Sequence, residues 1–151
     1  MEEFKTINDI LDFAIDQEQE AVDFYNQLAE NAQNEDMRKV FIQFAQEEIG
    51  HKARLTRIKE EGSYSLEPKQ IADLKISNYT VNVEPSPDLT YHDALVLAMN
   101  KEKNAFKLYS DLAEKAPDEK MKNIFLSLAQ EESKHKLRFE LEYDEYVLRE
   151  N

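Results

Sequence analysis

The chain is predicted to be an all-α four-helix bundle, built from two repeated helical hairpins joined by a long crossover. Three observations predict it. Only two Gly and four Pro occur among 151 residues and 34% of residues are charged, a composition that favours long helices over a turn-rich sheet. Apolar residues return at helical spacing in four separate stretches. Residues 6–55 laid over 90–139 without a gap share about 21 identities in roughly 50 positions, an internal repeat with an offset of 84.

The first helix is predicted over about 8–32, with Ile10, Leu11, Ala14, Ala21, Val22, Tyr25 and Leu28 on one stripe. Asn34 is a suitable N-cap for the second, which carries Met37, Phe41, Phe44, Leu55 and Ile58 and stops at Gly62. Between Gly62 and Leu89 the periodicity fails. Pro68, Pro85 and Pro87 sit there among polar residues, and Tyr79-Thr80-Val81 reads as extended, so this stretch is the crossover. Thr90, with Asp93 three residues on, is a variant capping box for the third helix, whose stripe runs from Leu95 and Ala98 to Leu112. The fourth begins near Asp118, after Ala116-Pro117, and its pattern continues through Tyr143, Tyr146 and Leu148 to Arg149. At ~1.5 Å per residue it is roughly 48 Å long and should overhang its partners. The hairpins thus span about 6–61 and 90–150 within one domain over 1–151. Short links make each hairpin antiparallel, and a crossover of about 28 residues can run the length of the bundle.

Composition excludes several classes of function. A net charge of −13 argues against nucleic acid and anionic membranes as partners. With no Cys there is no disulfide, thiolate zinc knot or iron–sulfur cluster. The acidic start Met1-Glu2-Glu3-Phe4 is unlike a signal peptide, and no apolar run approaches the ~20 residues of a membrane span. A cytoplasmic protein is expected.

The repeat also carries chemistry. Glu18 returns as Glu102, Glu48 as Glu132 and His51 as His135. A Glu-x-x-His pair leaves one helix face a turn apart, so carboxylate and imidazole can hold one ion together. Glu18 and Glu102 are single acids within apolar stripes, each fit to be a terminal ligand. Four carboxylates in a bundle core are tolerable when two divalent ions balance them. A mixed oxygen and imidazole donor set suits two iron ions, with manganese or zinc as alternatives. Spacing alone leaves a competitor, because Glu47 lies four residues before His51. Glu47, Glu131, Glu30 and Glu114 are expected on outer faces, solvated or paired with Lys and Arg; Glu20 is expected at the surface and His92 at a helix start. Gly50, inside the second helix, costs ~1 kcal/mol against Ala. Close approach of another helix is one reason for it, and plain tolerance the other.

The segments Ala14-Ile15-Asp16-Gln17-Glu18 with Phe24-Tyr25, Glu47-Glu48-Ile49-Gly50-His51, Ala98-Met99-Asn100-Lys101-Glu102 with Tyr109, and Glu131-Glu132-Ser133-Lys134-His135 resemble the rubrerythrin branch of the ferritin-like di-iron carboxylate superfamily. The resemblance covers nearly everything except the crossover and the C-terminal tail. It implies Glu18, Glu48, His51, Glu102, Glu132 and His135 as ligands, selects Glu48 over Glu47, and makes Glu48 and Glu132 bridging. It also implies that Tyr25 and Tyr109, two turns beyond their acids, stand behind the ligands. Two departures stand out. Peroxide-reducing members carry an extra carboxylate one turn after the third-helix ligand, where this chain has Ala105, and they append a rubredoxin-like iron–thiolate domain that a chain without Cys cannot form.

The expected function is that of a di-iron oxidoreductase reacting with hydrogen peroxide or dioxygen in oxidative-stress defence, fed by a separate electron donor protein. The alternatives are ferritin-like iron oxidation or storage, and a metal-stabilised helical module without catalysis. Tyr143, Tyr146 and Leu148 on the overhang are expected to be poorly covered in a monomer, which predicts a homodimer, and the crossover is long enough for hairpins to exchange between subunits.

Overall fold

The computed structural model describes residues 3–81 and 89–150; Pro85, Pro87 and the extreme termini lie outside the described residues. Four long helices form a bundle of two antiparallel hairpins, α1 (Ile7–Glu30) with α2 (Glu35–Glu61), and α4 (Tyr91–Glu114) with α5 (Glu119–Glu150). The crossover between them carries the short α3 (Pro68–Ala72) and a 3-10 turn (Ile76–Asn78).

Equivalent caps start the repeated helices. The Thr6 side chain accepts from the Asp9 amide while Asp9 accepts from the Thr6 amide, a complete capping box. At the equivalent Thr90 only the first bond forms, to the Asp93 amide at 3.0 Å; the Asp93 carboxylate lies beside His92 instead, so the reciprocal half predicted there is not made. Asn34 accepts from the Met37 amide at 2.9 Å, and its counterpart Asp118 accepts from the Met121 amide at 2.8 Å. The hairpins differ in how they end. Gly62 closes α2 in the left-handed region (φ 64), whereas α5 has no such stop and runs on for 32 residues in all.

The core is two apolar clusters related by the repeat. One gathers Leu11, Leu55, Tyr109, Leu112, Met121 and Phe125; the other gathers Tyr25, Leu28, Met37, Phe41, Leu95 and Phe139. Burying each such side chain contributes roughly 1.5–3 kcal/mol relative to exposure.

Different segments cover the two clusters. The crossover covers the first, inserting Tyr64, Ile71, Leu74 and Tyr79, with the Tyr64 hydroxyl donating to the Leu112 carbonyl at 2.5 Å. Of the stretch Tyr79-Thr80-Val81 read as extended, Tyr79 instead caps the 3-10 turn (φ −121, ψ 1), is buried, and donates to Asp111 at 2.6 Å. The overhang of α5 packs on the second cluster. Tyr143 and Tyr146 are half-buried against the start of α4, Tyr143 bonded to His92 at 2.8 Å and Tyr146 edge-on to Tyr91 at 5.1 Å, while Glu142 beneath them accepts from the Tyr91 hydroxyl at 2.8 Å. The expectation that both tyrosines are poorly covered in one chain is corrected, because the first turn of α4 supplies their packing. Leu148 does remain 73% exposed.

Gly50 is not explained by a close approach. A Cβ built there meets nothing within 4 Å, on an exposed face of α2. Gly50→Ala is therefore expected to stabilise the protein by ~1 kcal/mol, raising Tm by roughly 2–4 °C for a chain of this size. A lower Tm would show that this backbone position needs glycine.

Candidate metal centre

Six side chains that the sequence marks as ligands converge between the two apolar clusters. Glu18 comes from α1, Glu48 and His51 from α2, Glu102 from α4, and Glu132 and His135 from α5, all at most 2% exposed. They form two groups of potential donor atoms within 4.8 Å of one another: Glu18, Glu48, His51 and Glu132 in one, Glu48, Glu102, Glu132 and His135 in the other. Glu48 and Glu132 belong to both, one from each hairpin.

The donor atoms crowd together without bonding one another. His51 Nδ1 lies 3.4 Å from Glu18 Oε2, 3.2 Å from Glu48 Oε1 and 3.2 Å from Glu132 Oε1; His135 Nδ1 lies 3.4–3.7 Å from Glu48, Glu102 and Glu132. Despite these ion-pair distances, none has hydrogen-bond geometry. Glu18 Oε2, Glu48 Oε1, His51 Nδ1, Glu102 Oε2, Glu132 Oε1 and His135 Nδ1 are all buried without a hydrogen-bond partner. Ligands about 2.0–2.2 Å from a shared ion stand roughly 3.0–3.6 Å from each other, much the spacing seen here. Orphaned donors at that spacing fit divalent cations, which would complete them.

The other polar atoms of Glu18, Glu102, His51 and His135 are satisfied by groups that stand behind these candidate ligands. Tyr109 donates to Glu18 Oε1 at 2.6 Å and Tyr25 donates to Glu102 Oε1, so each tyrosine serves the acid of the other hairpin. Burial, then the nearby carboxylates, push both hydroxyls well above their ordinary pKa and keep them donors. The histidines are held the same way. His51 Nε2 is 3.1 Å from Glu131 Oε2, and His135 Nε2 is 3.3 Å from Glu47 Oε1. Such a bond turns the Nδ1 lone pair toward a bound cation and fixes the ring.

Glu47 and Glu131 thereby depart from the outer-face role expected of them. Glu131 does also meet Arg54 at 3.3 Å, but both acids are two-thirds buried and each holds the histidine of the opposite hairpin. Their recurrence at the same offset of 84 was the available signal. Glu20, Glu30 and Glu114 are exposed as expected. His92, in the first turn of α4, bonds Tyr143 and Asp93, far in role from the ligand set.

A narrow cavity of about 20 Å³ reaches the site between α1 and α4, room for a water-sized molecule. Glu18, Glu48, Glu102 and Glu132 all line it, with Phe13, Ala105, Leu108 and Tyr79 among its walls.

A sequence profile of the rubrerythrin family matches residues 9–143. The chain belongs to the rubrerythrin family. A crystal structure from Thermotoga maritima, described as that of a candidate ferritin-like diiron-carboxylate protein, superposes with a TM-score of 0.78 at 22% identity, covering 97% of this chain and 99% of that one. At that identity the likeness is one of fold. No curated protein matches the chain. These 151 residues contain no Cys and so form no Cys-rich rubredoxin-like domain among themselves, and no described helix is long and apolar enough to cross a membrane.

Without metal ions, protons are what offsets the crowded carboxylates of this rubrerythrin-family chain. Burial and then neighbouring carboxylates raise Glu48 and Glu132 well above the ordinary 4.5. Burial works to depress His51, but Glu18 and Glu48 outweigh it and push the imidazole up to about 10. Groups that bind protons more tightly folded than unfolded contribute stability below the unfolded pKa and lose it as pH rises through the folded one. The metal-free chain should therefore lose stability in urea as pH rises from about 5 to about 9. With divalent ions in place of the protons that slope should flatten. Stability that rises with pH in the metal-free chain would contradict this.

Proposed function

We propose that the chain is a di-iron carboxylate oxidoreductase that reacts with hydrogen peroxide or dioxygen and serves in oxidative-stress defence. One observation carries the reading: two donor groups fused through Glu48 and Glu132 open to a water-sized cavity lined by all four carboxylates. Two ferrous ions, when bound, supply the two electrons that an O–O bond accepts.

The protein's own groups do the rest. Glu18 with His51 would hold one ion and Glu102 with His135 the other, and Glu48 and Glu132, common to both groups, would serve each. Tyr25 and Tyr109 keep one oxygen of each outer carboxylate hydrogen-bonded, leaving the other for the ion. Phe13, Leu108 and Tyr79 narrow the approach, so a small oxidant enters and a larger reductant does not. Electrons then come from a separate donor protein acting through the surface. Ala105 borders the cavity at the place where peroxide-reducing relatives are expected to carry a further carboxylate, which makes the choice between peroxide and dioxygen the first thing to measure.

A second reading, iron oxidation and storage, draws on the same carboxylate-lined opening and on the net charge of −13, both of which attract ferrous ion. The experiment is elemental analysis of anaerobically purified protein, followed by stopped-flow absorbance of the reduced form mixed with peroxide or dioxygen. The oxidoreductase reading expects near two irons per chain and rapid oxidation. Continued uptake of iron with dioxygen, in a large multi-subunit shell, would favour storage instead. Zinc alone, or no reaction with either oxidant, would leave a metal-stabilised module. In the same assay Glu48→Ala and Glu132→Ala are expected to abolish stable loading, since each removes a donor common to both groups.

We further propose a homodimer, now on the exposed α5 residues Leu137, Leu141 and Leu148. Light scattering is expected to give twice the chain mass, and Leu141→Lys with Leu148→Lys to give monomers. A monomeric wild-type chain would remove the proposal.

A further inference from the structure

The six ligands repeat faithfully, and so does the way their rings lie. The two imidazoles are nearly parallel, 13° apart, with centroids separated by 6.4 Å, and each Nε2 rests on a carboxylate from the opposite hairpin. The repeat breaks one layer further out. Behind His51, the Glu131 oxygen that takes the ring nitrogen also takes the Arg54 guanidinium at 3.3 Å. Behind His135, Glu47 Oε1 takes the ring nitrogen, and the other oxygen of Glu47 takes the neutral amide of Gln43 at 3.1 Å. Gln43 has Ser127 as its counterpart in the repeat. Arg54 does have an arginine counterpart, Arg138, but among the described residues no ion pair joins it to Glu47. His135 is also stacked on Phe44 at 4.0 Å, where the counterpart of Phe44 is Leu128.

We propose that these neighbours make the two metal positions inequivalent, the ion on Glu102 and His135 being bound the more tightly and the ion on Glu18 and His51 being the exchangeable one. The inference rests on the di-metal reading of the site. A carboxylate on the Nε2 proton pushes electron density toward Nδ1 and makes the imidazole a stronger ligand. Glu47 does this with its full charge. Glu131 does it with a charge that Arg54 offsets at the same oxygen, and Arg54 adds a positive charge on that side of the site. The His51–Glu131 contact is the shorter of the two, which works in the opposite direction. Coulomb attraction varies only inversely with distance, so this small difference changes it by roughly a tenth or less, whereas a guanidinium at the same oxygen opposes the carboxylate's charge itself. Arg54 is half-exposed, so solvent screens it and the separation falls at the lower end of the range for such outer partners. Arg54, Glu131 and Glu47 act here as positioning residues, through the histidines.

The test is a titration of the metal-free full chain with Co2+ under anaerobic conditions, followed by visible absorbance and calorimetry. The wild-type chain is expected to fill in two steps separated by about tenfold. Arg54→Gln, which touches no ligand, should tighten the weaker step and bring the two together. Glu47→Gln keeps a side-chain oxygen for the His135 ring but removes the charge, and should weaken the tighter step by ~10-fold or more while leaving the other in place. Thermal unfolding of each metal-free variant separates a binding effect from a folding defect, and only a selective change in one step supports the proposal. Two indistinguishable steps in the wild type, or variants that move both steps equally or neither, would overturn it while leaving the di-metal site intact. Failure of the wild type to bind Co2+ at all would overturn both.

Discussion

Four carboxylates buried at one point of a helical bundle cannot all remain charged without cations beside them, and the rest of this molecule is arranged around that requirement. The polar centre lies between two apolar clusters, so the helices that bury it also keep bulk water away. Glu18, Glu102, His51 and His135 each have one face toward the centre and one toward a supporting group. The inward atoms are the six without hydrogen-bond partners, and the outward ones are held by Tyr25, Tyr109, Glu47 and Glu131. A protein that satisfied all of its own polar atoms here would have no affinity to offer a metal ion.

The supporting bonds also decide how the two hairpins are joined. Tyr25 and Glu102, Tyr109 and Glu18, His51 and Glu131, His135 and Glu47 all reach from one hairpin to the other. Backbone contact is concentrated within the hairpins, so the assembly of the two halves depends on apolar side chains and on this ring of polar pairs. Ligand geometry and hairpin docking are therefore one problem for this chain. A change that loosens the interface also loosens the centre, which gives the outer acids a structural reason to recur alongside the ligands.

The symmetry is broken where the chain must do something only once. One apolar cluster is covered by the crossover through Tyr64, Ile71, Leu74 and Tyr79, the other by the continuation of α5 beyond the point where Gly62 ends α2. Tyr79 is at the same time a wall of the cavity that leads to the carboxylates. The crossover thus does more than span the bundle: by filling the open end of one cluster it also sets one side of the approach to the site.

The sequence by itself determined the four long helices and the repeat, because helical periodicity, caps at Asn34 and Thr90 and an offset of 84 are all local or arithmetic properties of the chain, while the choice of Glu48 over Glu47 rested on the family resemblance. It could not determine what stands behind each ligand. Glu47 and Glu131 look like any outer-face acid beside a lysine or arginine, and only docking of the two hairpins brings each beneath a histidine about 80 positions away. The cover over Tyr143 and Tyr146 and the burial of Tyr79 were hidden for the same reason, since their partners Tyr91, His92 and Asp111 are distant in sequence. Spacing along one helix tells which residues share a face; which face meets which is set by packing between helices, and there the tertiary structure alone decided.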